Sequence, residues 1–265
     1  MNSNSPIGVF DSGVGGISVL RILRHDMPNE NYIFFGDSIH APYGDQPEAR
    51  IREMSDANVE FLLAHGCKAI VIACNTATSA AADWLRAKYP ELIIIGMEPA
   101  AKKALDLDGE HRVLVAATPI TVHGKKMQIL IDRFDKDHLV DLLPLPRLVE
   151  FAEREEFRSE AVRAYLEQEL GRFALADYSA LVLGCTHFNY FKDTMREIMP
   201  ENMHFVDGNE GTVRELMRQL DARQGLENLP QTVDYYYSGR RVEDAAELAR
   251  IARYMERLDL VYEIH

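Results

Sequence analysis

Two cysteines stand in matching surroundings. Lys68-Ala-Ile-Val-Ile-Ala73-Cys74-Asn75-Thr76 and Ser179-Ala-Leu-Val-Leu-Gly184-Cys185-Thr186-His187 agree position by position: an apolar run, a small residue, cysteine, then a hydrogen-bonding pair. A thiol is a weak acid, with an ordinary pKa of about 8.5, and its thiolate is a good base and nucleophile. A single buried cysteine is an ordinary core residue. Two in one repeated context point to two similar half-structures. If the halves face each other, they present two thiols to one cleft, and chemistry on both faces of one carbon becomes feasible.

The elements that would position these thiols are legible nearby. Ala69 to Ala73 reads as a buried parallel strand, and the alanine-rich stretch after Cys74 as a helix. Cys74 then sits where open α/β sheets bind ligands, at a helix start whose free N–H groups favour an anion. The helix start pushes the Cys74 pKa down. Asp11 as an anion pushes it up, yet can accept the thiol proton. His187, two residues after Cys185, is placed to act on that thiol. Cys185 and His187 supply at most two ligands, so no metal is expected.

Taken in order, Ile7 to Phe10 is a strand, Asp11-Ser12-Gly13-Val14-Gly15-Gly16 a glycine-rich turn, and Ile17 to Arg24 a helix. Such glycines let backbone N–H groups approach a ligand. A dinucleotide fingerprint fits poorly, because Ser18 holds the third glycine position and Asp11 would put a carboxylate beside the pyrophosphate. Tyr32 to Phe35 is the next strand, followed by Asp37 and the turn Ala41 to Gly44. A helix from Glu48 to His65 and a strand from Leu92 to Ile95 complete the first half. Arg112 to Ala117 opens the second half, with Thr118 where Ser12 stands in the first. Leu139 to Leu143 is a strand, Pro144 to Glu150 a proline-punctuated loop, and Glu150 to Glu156 an exposed acidic helix. Helices over Ser159 to Leu170 and Phe191 to Met199 flank the Cys185 strand, and His204 to Asp207 is a last short one. The tail reads as helix (Asn209 to Leu220), strand (Thr232 to Tyr237) and helix (Val242 to Met255), packing back on the first half. The fold class is α/β, with parallel sheets in two similar half-structures. Residues 1–97 with the returning tail 208–265 form the first, and 98–207 the second.

Composition narrows the function. The chain has 265 residues, 47% apolar and 27% charged, with a formal charge of −13. That balance argues against nucleic acid, whose binding relies on basic residues. The N-terminus shows no basic flank or long apolar core of a signal peptide, and no run approaches membrane-spanning length. Three cysteines are too few for a disulfide framework and are expected as free thiols in a cytoplasmic protein.

Together, Asp11-Ser12-Gly-Val-Gly-Gly, Phe35-Gly-Asp37 with Pro42-Tyr43-Gly44, Ala73-Cys74-Asn75-Thr76 and Gly184-Cys185-Thr186-His187 resemble the cofactor-independent aspartate/glutamate racemase family, its glutamate racemases in particular. The resemblance runs from about Ile7 to the final helix. It implies two pseudo-symmetric parallel-sheet α/β domains facing a central cleft, and interconversion of L- and D-glutamate, supplying D-glutamate for peptidoglycan. By resemblance Cys74 and Cys185 are the two thiols, Asp11 assists the first, His187 the second, and Glu150 pairs with the histidine. Ser12, Tyr43, Gly44, Asn75, Thr76, Thr118, Thr121 and Thr186 resemble the substrate-binding set. The partner implied is a small molecule, glutamate, with no nucleic acid, membrane, cofactor or metal, and a homodimer is compatible with this reading. The chain departs from the family at Asn189, where proline is usual, at Gly124 and Met127, and at Gln46-Pro47. Rival readings are an aspartate racemase, a non-catalytic clamshell amino-acid binder and a nicotinamide oxidoreductase.

An α-proton beside a carboxylate is removed with a pyridoxal electron sink or by direct stabilisation of the charge, and paired thiols fit the direct route. Chelators and hydroxylamine, which traps pyridoxal, should therefore leave the rate intact. Abolition by either, with recovery on adding the matching cofactor, would refute this.

Overall fold

The computed structural model describes residues 5–97, 100–108, 111–221 and 231–265. In the first half β1 (Ile7–Asp11), α1 (Ile17–Asp26), β2 (Tyr32–Gly36), α2 (Glu48–Ala64), β3 (Ala69–Ile72), α3 (Asn75–Lys88) and β4 (Ile93–Gly96) alternate. Every residue of these four strands is buried, as strands covered on both faces by helices must be. The second half runs α4 (Ala101–Asp108), β5 (Arg112–Ala117), α5 (Pro119–His123), α6 (Lys125–Phe134), β6 (Val140–Pro144), α7 (Pro146–Glu153), α8 (Glu160–Leu170), β7 (Tyr178–Leu183), α9 (Lys192–Arg196) and β8 (His204–Val206). Then follow α10 (Asn209–Asp221), β9 (Val233–Tyr237), β10 (Arg240–Arg241) and α11 (Ala245–Val261).

The repeat seen in the sequence is a repeat of topology. One sheet has the order β10-β9-β2-β1-β3-β4 and the other β6-β5-β7-β8, with all pairs parallel except β10 on β9. The strand order 2-1-3-4 of the first half thus recurs as 6-5-7-8. Register extends the match to single residues. Phe10 pairs with Ile72 as Ala116 pairs with Leu183, which makes Asp11 equivalent to Ala117 and Ser12 to Thr118. Cys74 and Cys185 each follow the strand beside the opening strand of their half.

Three expectations shift. The region read as a proline-punctuated loop is the end of β6 and then α7, because Pro146 takes the first helical position, where a missing N–H costs nothing. The helix expected over Phe191 to Met199 is a 3-10 helix, Thr186–Phe191, leading into the short α9. The last helix begins at Ala245, where Asp244 caps the N–H groups of Ala246 and Glu247, and it continues to Val261. The expected domain boundary at 97/98 touches residue 98, which lies outside the described residues.

The tail serves both halves. β9 adds to the edge of β2 in the first sheet, while α11 lies against α1 and the 3-10 helix after Cys185. Arg257, only 9% exposed, donates to the Tyr190 carbonyl at 2.9 Å and forks onto both oxygens of Asp193. The guanidinium lies over the Phe157 ring, which packs in turn against the rings of Tyr190 and Tyr254. The Tyr190 hydroxyl in turn donates to the Val14 carbonyl of the first half at 2.8 Å. Arg257→Ala removes one partner of a mostly buried ion pair and should lower stability by about 3 kcal/mol in urea unfolding. A loss under about 1 kcal/mol would show that α11 is held by apolar packing alone.

Candidate active site

The ends of β1, β3 and β7 converge on one cavity. Asp11, Ser12, Pro42, Tyr43, Gly44, Cys74, Asn75, Thr76, Thr118, Val149, Cys185, Thr186 and His187 line it. Of the residues expected at the site, all but Thr121 and Glu150 are there.

Cys74 is the residue before α3, and its sulfur accepts the Ala77 N–H at 3.4 Å as the helix cap. Its S–H reaches the Ser12 hydroxyl at 3.7 Å, and Ser12 in turn donates to Asp11 Oδ1 at 3.2 Å. The other carboxylate oxygen, Oδ2, accepts the Thr186 hydroxyl of the opposite half at 2.8 Å. Burial pushes the Asp11 pKa above the usual carboxylate range, despite His187 and the bonds from Thr186 and Ser12. Burial, and then the Asp11 charge, also hold the Cys74 thiol well above its ordinary pKa, outweighing the bonds from Ala77 and Ser12. The helix start does not win, and Cys74 rests protonated.

The second sulfur has a different neighbour. Cys185 Sγ lies 3.7 Å from His187 Nδ1, and His187 Nε2 lies 2.8 Å from Glu153 Oε1. Burial works against the imidazolium, but the bonds to Cys185 and Glu153 prevail and raise the His187 pKa well above its ordinary value. The same bond to His187, with the Val14 N–H, outweighs burial at Glu153 and holds its carboxyl below the usual range.

Glu153, not Glu150, is the partner of the histidine. Glu150 is exposed on the outer side of α7. Glu153 stands four residues after Val149, which lines the cavity, and positions four apart share a helix face. The helix start at Pro146 and the cavity-facing Val149 together separate Glu153 from Glu150. Two groups on α11 fasten the end of α7: the Tyr254 hydroxyl donates to the Ala152 carbonyl at 2.7 Å, and Arg250 donates to that of Glu153. Carbonyls at a helix end need such donors.

The glycine-rich turn has another use than cradling a phosphate. A Cβ on Gly13 would sit 1.9 Å from Glu153 Oε1, and one on Gly15 2.4 Å from both His187 Nδ1 and Thr186 Oγ1. The glycines make room for side chains of the second half. Backbone N–H groups still take part, since Val14 donates to Glu153 at 2.9 Å.

Thr76 and Thr118, from opposite halves, share a hydrogen bond of 2.9 Å across the cavity, and Thr118 donates to Thr121 at 3.0 Å. Thr121 therefore orients Thr118 from behind rather than lining the cavity. Tyr43 is buried, and its hydroxyl donates to Asp37 at 2.6 Å while accepting from Asn58 at 3.1 Å. Its ring and the Gly44 backbone form wall, with the hydroxyl directed away. Asn75 Nδ2 is buried with no hydrogen-bond partner among the described residues, a donor suited to a carboxylate oxygen. Asn189 ties down the 3-10 helix by donating to the Thr186 carbonyl at 3.3 Å. Gly124 separates α5 from α6, and Met127 is buried in the second-half core. Among the described residues no group of three or more His, Cys, Asp or Glu is placed to hold a metal, and no helix is long and apolar enough to cross a membrane.

The arrangement sets two sulfurs with unlike proton partners on one cavity, an acid and a base facing the same space. The glutamate racemase of Campylobacter curvus is 52% identical over 264 residues, covering 97% of this chain and 99% of that protein. The crystal structure of Francisella tularensis glutamate racemase in complex with D-glutamate superposes with a TM-score of 0.79 at 26% identity, covering 96% of this chain and 94% of that one. Escherichia coli glutamate racemase, in complex with L-glutamate and the activator UDP-MurNAc-ala, gives 0.78 at 28% identity, covering 95% of each chain. Residues 17–216 match the Asp/Glu/Hydantoin racemase family, and the chain belongs to it.

Proposed function

We propose that this chain interconverts L- and D-glutamate through its two thiols. The observation that carries the reading is the convergence of Cys74 and Cys185 on one cavity, each with its own proton partner. The solved relatives that hold D-glutamate and L-glutamate, and the name of the Campylobacter curvus relative, support this substrate.

The α-carbon lies between the sulfurs. His187 takes up the Cys185 proton, and the resulting thiolate removes the α-proton of one enantiomer while the Cys74 thiol protonates the opposite face. For the other enantiomer the roles exchange, with Asp11 as the sink for the Cys74 proton. The Asn75 amide, whose Nδ2 has no partner among the described residues, holds a substrate carboxylate, and the hydroxyls of Ser12, Thr76, Thr118 and Thr186 line the space around it, with Tyr43 and Gly44 closing the wall. No cofactor or metal enters this scheme. The proposal extends to a cytoplasmic enzyme that supplies D-glutamate for peptidoglycan, and a homodimer is compatible with it. We read residues 1–97 with 208–265 and residues 98–207 as the two domains, a division supported by the two sheets.

The pairing of His187 with Glu153 is tested by two charge-neutralising variants. Glu153→Gln should lower kcat by about a hundredfold or more, the usual worth of acid–base assistance, whereas Glu150→Gln should leave it unchanged. Equal effects of the two would refute the assignment.

Deuterium uptake tests the two-thiol reaction itself. With Cys185→Ala in heavy water, inversion should fall by about 10²–10⁴-fold. Cys74 still faces one enantiomer, D-glutamate by family resemblance, and should exchange its α-proton with retained configuration. Cys74→Ala should favour the other enantiomer. Near-normal racemisation by either variant would defeat the scheme.

A further inference from the structure

Both sulfurs meet their carboxylates through an intermediary. On one face the chain is Cys185, His187, Glu153, with steps of 3.7 and 2.8 Å. On the other it is Cys74, Ser12, Asp11, with steps of 3.7 and 3.2 Å. Asp11 accepts its hydrogen bonds from Ser12 and Thr186, and the Cys74 sulfur reaches Ser12 and the Ala77 N–H. From this parallel we infer that the Ser12 hydroxyl carries the proton between Cys74 and Asp11, doing for one face what the His187 ring does for the other. The inference rests on Cys74 being one of the two acid–base sulfurs.

The step balances without any further reagent. The Cys74 S–H bond breaks as its proton moves to Ser12 Oγ, and the proton already on that oxygen passes to Asp11 Oδ1. Thiol and carboxylate become thiolate and carboxylic acid, and Ser12 ends as the same hydroxyl, now donating to the sulfur. Thr186 keeps Oδ2 engaged, so the proton has one destination. The Ser12 N–H, 2.6 Å from Oδ1, fixes that oxygen beside the hydroxyl. A serine can act this way because a hydroxyl donates and accepts at once. The titratable groups facing Cys74 are Asp11 from β1, Tyr43 from the turn after β2 and Cys185 after β7, while His187 acts on Asp11.

The test reads thiol ionisation without substrate, which separates proton transfer from any part Ser12 plays in holding glutamate. Alkylation of the full-length protein by iodoacetamide is followed against pH, with Cys74 and Cys185 resolved by peptide mass mapping. In Ser12→Ala the thiolate loses its donor, and Cys74 should need a pH about one unit higher to react at the wild-type rate, a tenfold loss of thiolate at fixed pH. Ser12→Thr, which keeps a hydroxyl, should restore most of that shift, and the Cys185 profile should not move in either variant. In an Asp11→Asn background the proton has no acceptor, so adding Ser12→Ala should change the profile little further. An unshifted Cys74 profile in Ser12→Ala would overturn the inference, as would an equal shift of Cys185, or full additivity with Asp11→Asn. Because no racemisation is measured, an inactive wild-type protein would refute the proposed function and leave this result legible.

Discussion

Each oxygen of the buried Asp11 carboxylate answers to a different half of the molecule. Oδ1 takes the Ser12 N–H and hydroxyl from its own half, and Oδ2 the Thr186 hydroxyl from the other. A carboxylate out of water must be hydrogen-bonded, and an unmet oxygen is expensive. The docking of the halves and the charge of Asp11 are therefore one constraint. Glu153 repeats it in the opposite sense, a second-half carboxylate bonded to the Val14 N–H of the first. Glycines at 13 and 15 follow, because any side chain there would occupy the space that Glu153, Thr186 and His187 fill.

Within this reciprocal frame the two sulfurs are equivalent in topology and unlike in chemistry. The register that aligns Asp11 with Ala117 shows that the second half has no carboxylate at the end of its opening strand, and the first has Thr76 where the second has His187. An imidazole beside Cys185 and a hydroxyl beside Cys74 give the resting site a defined polarity, with the Cys74 thiol protonated. Since enantiomers are equal in free energy, kcat/KM must be the same in both directions whatever the polarity. The asymmetry sets which protonation state waits for substrate.

Much of this was legible in the chain. Cys74 and Cys185 were placed by an apolar run ending in a small residue, a pattern that depends only on neighbours along the strand. Their partners Asp11, Ser12 and His187 are likewise close to strand ends. What was misread depended on packing across the molecule. Glu150 and Glu153 differ by less than a helical turn, and only the position of Pro146 and the cavity face of Val149 separate them. Thr121 looks like a further hydroxyl for substrate, yet it is spent on Thr118. The glycine-rich turn suggests a ligand because the side chains that fill its space arrive from residues far along the chain. The tail was expected on the first half alone, and its arginines at 250 and 257 reach the second.

The strand β9 carries a consequence for the order in which the protein is made. β2 is buried throughout and depends on β9 to cover its outer edge, while Ser238, just beyond β9, bonds to Asp37, the residue that holds Tyr43. β9 and Ser238 leave the ribosome long after β2, when the second half has already been synthesised. Until then the nascent chain exposes an apolar strand edge, the kind that recruits foreign strands. Both cysteines are therefore in place before the cleft wall is fastened, and the site is completed only by a segment translated after both halves.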